Sequence, residues 1–194
     1  ARLADGTLLD FDVLVLASGV RPQIDVLSGT GVKTGRGIII DDHCMTSVDN
    51  IYAAGDCVES IDRTTGTYKV MALLPNAYMQ GECAGMNMSG KEYVFDRAIP
   101  MNALSLFGLH VITAGSYTGE CIDDSDDPYH RRFYVSDNRL NGYILIGRIE
   151  KAGIYTSLIR DMVPLDSIDF ELVRRSPGLL AFDRRYRDKT LGGY

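Results

Sequence analysis

The chain has 194 residues, 45% of them hydrophobic and 24% charged. These are the proportions of a folded globular chain, and they exclude wholesale disorder. Its longest apolar runs, Val13–Ala17 and Tyr143–Ile146, fall far short of the roughly 20 residues that span a bilayer. Basic side chains number 20 and acidic ones 26, a net charge of −6, which argues against a grip on nucleic acid. The length fits one large domain or two small ones.

The four cysteines, Cys44, Cys57, Cys83 and Cys121, contain no C-x-x-C pair, and His43, His110 and His130 lie far apart. No metal-ligand framework is expected. Scattered single thiols suit a reducing cytosol, so a cytoplasmic location is expected and the cysteines are read as small, partly buried hydrophobes.

The chain starts Ala-Arg-Leu-Ala-Asp-Gly, without Met and without the pattern of a signal peptide. Asp5-Gly6 between apolar flanks reads as a hairpin turn, and a chain that opens inside a hairpin reads as part of something longer. Phe11–Ala17 has little alternation and predicts a strand buried on both faces. Ser18–Pro22 breaks it. A short helical turn is expected at Ile24–Leu27, then strands at Gly37–Asp41 and Ile51–Ala54.

Leu73–Met88 predicts a helix, with Pro75 in the first turn and Gly90 as its stop. Ala77, Gly81, Ala84 and Gly85 leave one face without bulk, so another backbone can approach it. A domain boundary is placed near Asp96–Pro100. Beyond it, strands are expected at Ala103–Phe107, Val111–Gly115, Arg132–Ser136 and Tyr143–Gly147, with a turn at Asp137-Asn138. Ile154–Arg160 predicts an amphipathic helix, and the tail from Pro164 to Tyr194 shows weak helical patches. Asp123–Asp127 reads as a solvated acidic loop.

Gly29–Thr34 lacks the last glycine of a dinucleotide turn and reads as a plain turn. Ser18 has no nucleophile-elbow setting. The informative stretch is Thr46–Asp56. It reads as a buried strand ending in Gly-Asp, where Ala53, Ala54 and Gly55 admit a ligand close to the backbone. The Asp56 carboxylate then lies at a strand's C-terminal edge, where α/β sheets bind ligands and sugar hydroxyls find an acceptor.

Leu14–Pro22 and Thr46–Asp56 together resemble two motifs of the FAD-dependent pyridine nucleotide–disulfide oxidoreductases, in the right order and at about the right separation. The first resembles the return from the NAD(P)H domain to the FAD domain, with Ser18 in place of the commoner threonine. The second resembles the flavin motif whose terminal aspartate binds the ribitol chain. Pro75–Met88 resembles the helix whose start faces the flavin pyrimidine edge. Ile99–Asn102 and Tyr143–Gly147 resemble the C-terminal domain of the rubredoxin reductase, NADH oxidase and nitrite reductase flavin-subunit branch.

The resemblance implies an α/β part followed by an α+β part. Residues 1–96 would form part of a Rossmann-like FAD-binding region, and 97–194 a mixed sheet-and-helix domain of interface type. It implies FAD contacts from Gly55, Asp56, Leu74, Pro75 and Asn76, with NAD(P)H as substrate and a second electron acceptor that the residues do not name. It also implies a homodimer contact. No residue here reads as an acid, base or nucleophile. Both G-x-G-x-x-G fingerprints of the family are missing from these residues, so the 194-residue chain is expected to be an inactive part of a flavoenzyme or a non-catalytic interaction module.

Overall fold

Gly37 decides how closely the first strand approaches the second, and Gly35 leaves room for the Glu59 carboxylate. A Cβ on Gly37 would lie 2.7 Å from the Cys57 carbonyl oxygen, and one on Gly35 2.8 Å from Glu59 Oε1. With hydrogen alone at those positions, β1 (Ile38–Ile39) runs parallel to β2 (Val58–Asp62), with Ile38 opposite Val58. These features come from a computed structural model that describes residues 1–178.

β3 (Thr67–Val70) returns antiparallel to β2 and completes a three-stranded sheet. The connecting turn is built on Asp62, whose buried carboxylate accepts from Thr64 N–H at 2.8 Å, Thr65 Oγ1 at 3.0 Å and Lys69 Nζ at 2.8 Å. β2 and β3 were not expected from the sequence. The buried positions of β2 include Glu59, Ser60 and Asp62, polar residues on both faces of the strand that hide the usual alternation.

Helix α1 (Leu74–Met88) starts one residue later than expected, with Leu73 as its N-cap, and ends as expected, with Pro75 in its first turn and Gly90 at φ +83° beyond its end. It buries Asn76, Gln80, Cys83 and Ala84. Gly81 and Gly85 face open space, with nothing within 4 Å of a Cβ built there. The part of the small-residue face at Gly81 and Gly85 is therefore uncovered among the described residues, whereas Ala84 is covered.

Two expected strands are corrected. Phe11–Ala17 forms no strand and pairs with nothing, and Val13, Val15 and Leu16 are about four-fifths exposed. A strand needs a ladder partner, and none is present for this run among the described residues. Ile51–Ala54 is a partly buried segment held by one bridge, Met45 to Tyr52, and by Ala53 N–H donating to Cys44. The Asp5-Gly6 turn does close a bridge between Arg2 and Leu8, and Asp25–Leu27 forms the expected short helical turn.

The second sheet is antiparallel throughout. Its strands are β4 (Met101–Leu106), β5 (Leu109–Gly115), β6 (Glu120–Asp123), β7 (His130–Ser136) and β8 (Arg139–Ile146), in the order β4-β5-β8-β7-β6. Asp137 and Asn138, at φ +51° and +59°, form the two-residue turn between β7 and β8, the geometry that matches strand twist. Helix α2 (Ala152–Arg160) packs on β8 and β5.

The core between them holds Phe133, Tyr143, Leu145, Tyr155 and Leu158. The rings of Phe133 and Tyr155 meet edge-on at 4.9 Å, a contact worth about 0.5–1.5 kcal/mol beyond burial. Tyr155 shares its hydroxyl proton between the carbonyls of Val173 and Arg174. That bond fastens α3 (Phe170–Arg175) to the sheet, and Asp169 caps α3 by accepting Leu172 N–H at 2.9 Å.

The tail shows helix in α3 and in a 3₁₀ turn at Leu165–Ser167; the weak patches expected past Gly178 lie outside the described residues. The acidic loop is not merely solvated. Hydrogen bonds from Ser125, and then from Arg132, hold the Asp123 carboxyl down at about 2, and Asp124 pairs with Arg174. The α/β part followed by an α+β part is the fold observed. The buried cluster changes from the first sheet's to the second's between Ala98 and Ile99.

Candidate functional site: the Gly55–Asp56 turn and the start of α1

Gly55 sits at φ +91°, a conformation that disfavours any side chain. Its N–H donates to Gln80 Oε1 at 3.0 Å, and Gln80 Nε2 donates to Ser60 Oγ at 3.2 Å. Gln80 is almost fully buried, so this bridge is shielded from water. A Cβ on Gly55 would touch Ala77 at 4.0 Å. The structure thus brings the Gly55–Asp56 turn against the first turns of α1.

Asp56 is exposed and makes no hydrogen bond among the described residues. Its carboxylate is free to accept from a ligand. At the start of α1, Leu74 is 84% exposed, Pro75 is also exposed, and no side chain caps the first turn. The N–H groups of Leu74 and Asn76 find no acceptor among the described residues. Pro75 has no N–H to satisfy. An uncapped helix start offers donors and partial positive charge.

The Asn76 side chain does not join this opening. It is fully buried and donates to the Ile99 carbonyl at 3.3 Å, while its Oδ1 has no partner. Gln80 was missed in the sequence, although its spacing of four from Asn76 puts two amides on one helix face.

Cys57 is half-buried and points its thiol at the Ala54 carbonyl at 3.5 Å. Cys44 and Cys83 are buried side by side, and burial pushes both thiols up, away from reactivity. Cys121 is exposed, against the expectation of a partly buried hydrophobe; it lies on the edge strand β6. Asp41, Asp42 and His43 bring ligand-type atoms within 4.8 Å of one another. Asp41 Oδ1 already accepts from the N–H groups of His43 and Met45, and His43 Nδ1 lies 2.9 Å from Asp42.

These features fit a flavin. An unpartnered carboxylate suits a polyol chain, a glycine at positive φ leaves the backbone open, and an uncapped helix start suits an electron-rich ring edge.

Residues 1–81 match the family described as Pyridine nucleotide-disulphide oxidoreductase, whose members use FAD and NAD(P)H. The chain is 36% identical over 177 residues to the NADH-dependent phenylglyoxylate dehydrogenase subunit epsilon of Aromatoleum evansii, covering 85% of this chain and 42% of that protein. It superposes on NADH:rubredoxin oxidoreductase from Clostridium acetobutylicum with a TM-score of 0.58 at 27% identity, over 75% of this chain and 38% of that one. Its fold also matches putidaredoxin reductase in a covalent complex with putidaredoxin, with a TM-score of 0.75 at 23% identity, over 91% of this chain and 42% of that one. The chain therefore spans less than half the length of these relatives. On its motifs, its fold and these matches, the chain belongs to the pyridine nucleotide-disulphide oxidoreductase family.

Proposed function

We propose that the protein passes electrons from NAD(P)H through FAD to a second acceptor. The observation that carries this is the meeting of an unpartnered Asp56 with an uncapped α1 start across the Gly55 turn. Bound FAD would take hydride from the nicotinamide and release electrons onward. In this chain Asp56 accepts from the ribitol hydroxyls and Gly55 lets the cofactor approach. The start of α1, with Leu74 and Pro75 exposed and Asn76 beneath them, faces the pyrimidine edge. Residues 1–96 form part of the flavin-binding region and 97–194 an interface-type domain; the change of core at Ala98–Ile99 supports that division. Four free thiols support a cytoplasmic setting.

The test is Asp56→Ala in the complete flavoenzyme. Loss of a charge-assisted hydrogen bond costs about 1.5–3 kcal/mol, so FAD affinity should fall by about one to two decades. Wild-type affinity on titration of FAD into apoprotein would remove Asp56 from the site.

A second reading concerns the chain by itself: a non-catalytic module that associates through its C-terminal part, in the complete protein a homodimer contact. The β4–β5 hairpin supports it. Leu104 and Leu106 are more than half exposed, and Phe107, at the tip, is fully so. No G-x-G-x-x-G turn lies in these 194 residues to hold a pyrophosphate. The purified chain alone should therefore be colourless, and a stoichiometric flavin absorption band would refute that.

A further inference from the structure

Between β7, the β8–α2 connection and the end of α3 lies a trough in two lobes of about 230 and 300 Å³. Both lobes are lined by Arg131, Arg148 and Arg175, and Lys151 joins them in one lobe. The floor is made by Leu145 and Tyr155, each 1% exposed.

Arg131 and Arg148 are held in place rather than loose. Arg131 donates to the Tyr155 hydroxyl at 3.0 Å and lies over the Phe133 ring at 5.7 Å. Arg148 stacks on Tyr129 at 4.3 Å. Tyr129 in turn packs onto Gly147, where a Cβ would sit 2.4 Å from the ring. Glycine at 147 thus permits the stack that aims Arg148.

Acidic groups neutralise Arg175 but not Arg131, Arg148 or Lys151. Asp124, Asp126 and Glu150 also line the lobes, but Asp124 is engaged by Arg174 and Asp126 and Glu150 are exposed; Glu171 reaches Arg175 on the exposed face of α3. Arg131, Arg148 and Lys151 have no carboxylate within ion-pair range among the described residues. Behind the trough, Arg174 Nε is buried with no acceptor. The first turn of α2, which starts at this rim, carries no side-chain cap.

We propose that this trough binds a phosphate or diphosphate group. Planar guanidinium forks match phosphate oxygens two at a time. Concavity favours a small anion over an acidic protein face, because Arg131 is recessed against a buried floor and a docking surface would present projecting side chains. None of the lining residues is shared with the Gly55–Asp56 cluster.

The test is calorimetric titration of the 194-residue chain with inorganic pyrophosphate. Saturable binding is expected, weakened about tenfold or more in Arg148→Gln and in Arg131→Gln, since each removes a charge-assisted contact. Arg148 is exposed and its variant keeps the fold, which covers the case where Arg131→Gln disturbs the Tyr155 packing. Arg36→Gln, an exposed charge elsewhere, should bind as wild type. Absence of saturable binding overturns the proposal, as does wild-type affinity in Arg148→Gln or an equal loss in Arg36→Gln. ADP, titrated beside pyrophosphate, separates the two sources of the group: tighter binding of ADP assigns a nucleotide, tighter binding of pyrophosphate the free ion.

Discussion

Gln80, in the second turn of α1, holds the backbone N–H of Gly55 at 3.0 Å from within the protein interior. This bond fixes the turn that carries Asp56 to the helix whose start faces the same opening. Gln80→Ala leaves the Gly55 N–H and the Ser60 hydroxyl without their partner. Unfolding by urea should show a loss of about 1–3 kcal/mol. In the complete flavoenzyme the same variant should also loosen FAD; a variant as stable as wild type would remove the bridge from this role.

Asp62 sets an acid limit. Burial alone pushes its carboxyl up, but hydrogen bonds from Lys69, Thr64 and Thr65 outweigh burial and hold it below the ordinary 3.8. A carboxyl depressed in the folded state stabilises above its unfolded value, and that stability is lost as pH falls through the folded one. Unfolding free energy should therefore drop as pH falls below 3.8, and Asp62→Asn should flatten that limb while lowering stability at neutral pH. An equally steep limb in the variant would assign the acid sensitivity elsewhere.

Glycines 142 and 81 should respond in opposite directions. A Cβ on Gly142 would lie 2.3 Å from the Ser116 carbonyl oxygen, with no flexible side chain to yield. Gly142→Ala should destabilise the second sheet by about 1–3 kcal/mol or more. Gly81 meets nothing within 4 Å, so Gly81→Ala should stabilise the helix in this chain by about 1 kcal/mol. In the complete protein that gain should disappear, if another backbone seats on the same face. Thermal melts of both proteins decide it.

The hairpin tip carries the assembly reading. Light scattering should give a dimer mass for the complete protein and for this chain. Phe107→Ser with Leu106→Asp should return both to monomer, since exposed apolar patches of this kind mark contacts. A monomeric complete protein beside a dimeric chain would trace association to the uncovered segments around Leu14 and Leu16 instead.

How far the sequence disclosed this molecule depended on what each residue packs against. Helix α1 was legible because Pro75 and Gly90 punctuate it and its small-residue pattern is local. The β7–β8 hairpin was legible because Asp137 and Asn138 are residue types that tolerate the positive φ of a tight turn. β2 and β3 were not, because Glu59 and Asp62 are buried with partners supplied from Gly37 and Lys69. Gly55 and Asp56 stood out as a motif, whereas Gln80 did not, since its importance lies in one bond across 25 residues. The arginine trough was invisible because β7, the β8–α2 connection and α3 meet only in the fold.

The unpaired run from Phe11 to Val20 has a consequence for dynamics. Its N–H groups bond to no backbone carbonyl among the described residues, whereas β8 is laddered on both sides, by β5 and β7. Amides of the run should take up deuterium from solvent almost as fast as an unfolded peptide, and those of β8 should be the last to exchange. The same chain thus holds a slow clock and a fast one. Any partner that adds a strand beside Val13–Leu16 would register as a slowing of the fast clock, read residue by residue and without reference to flavin.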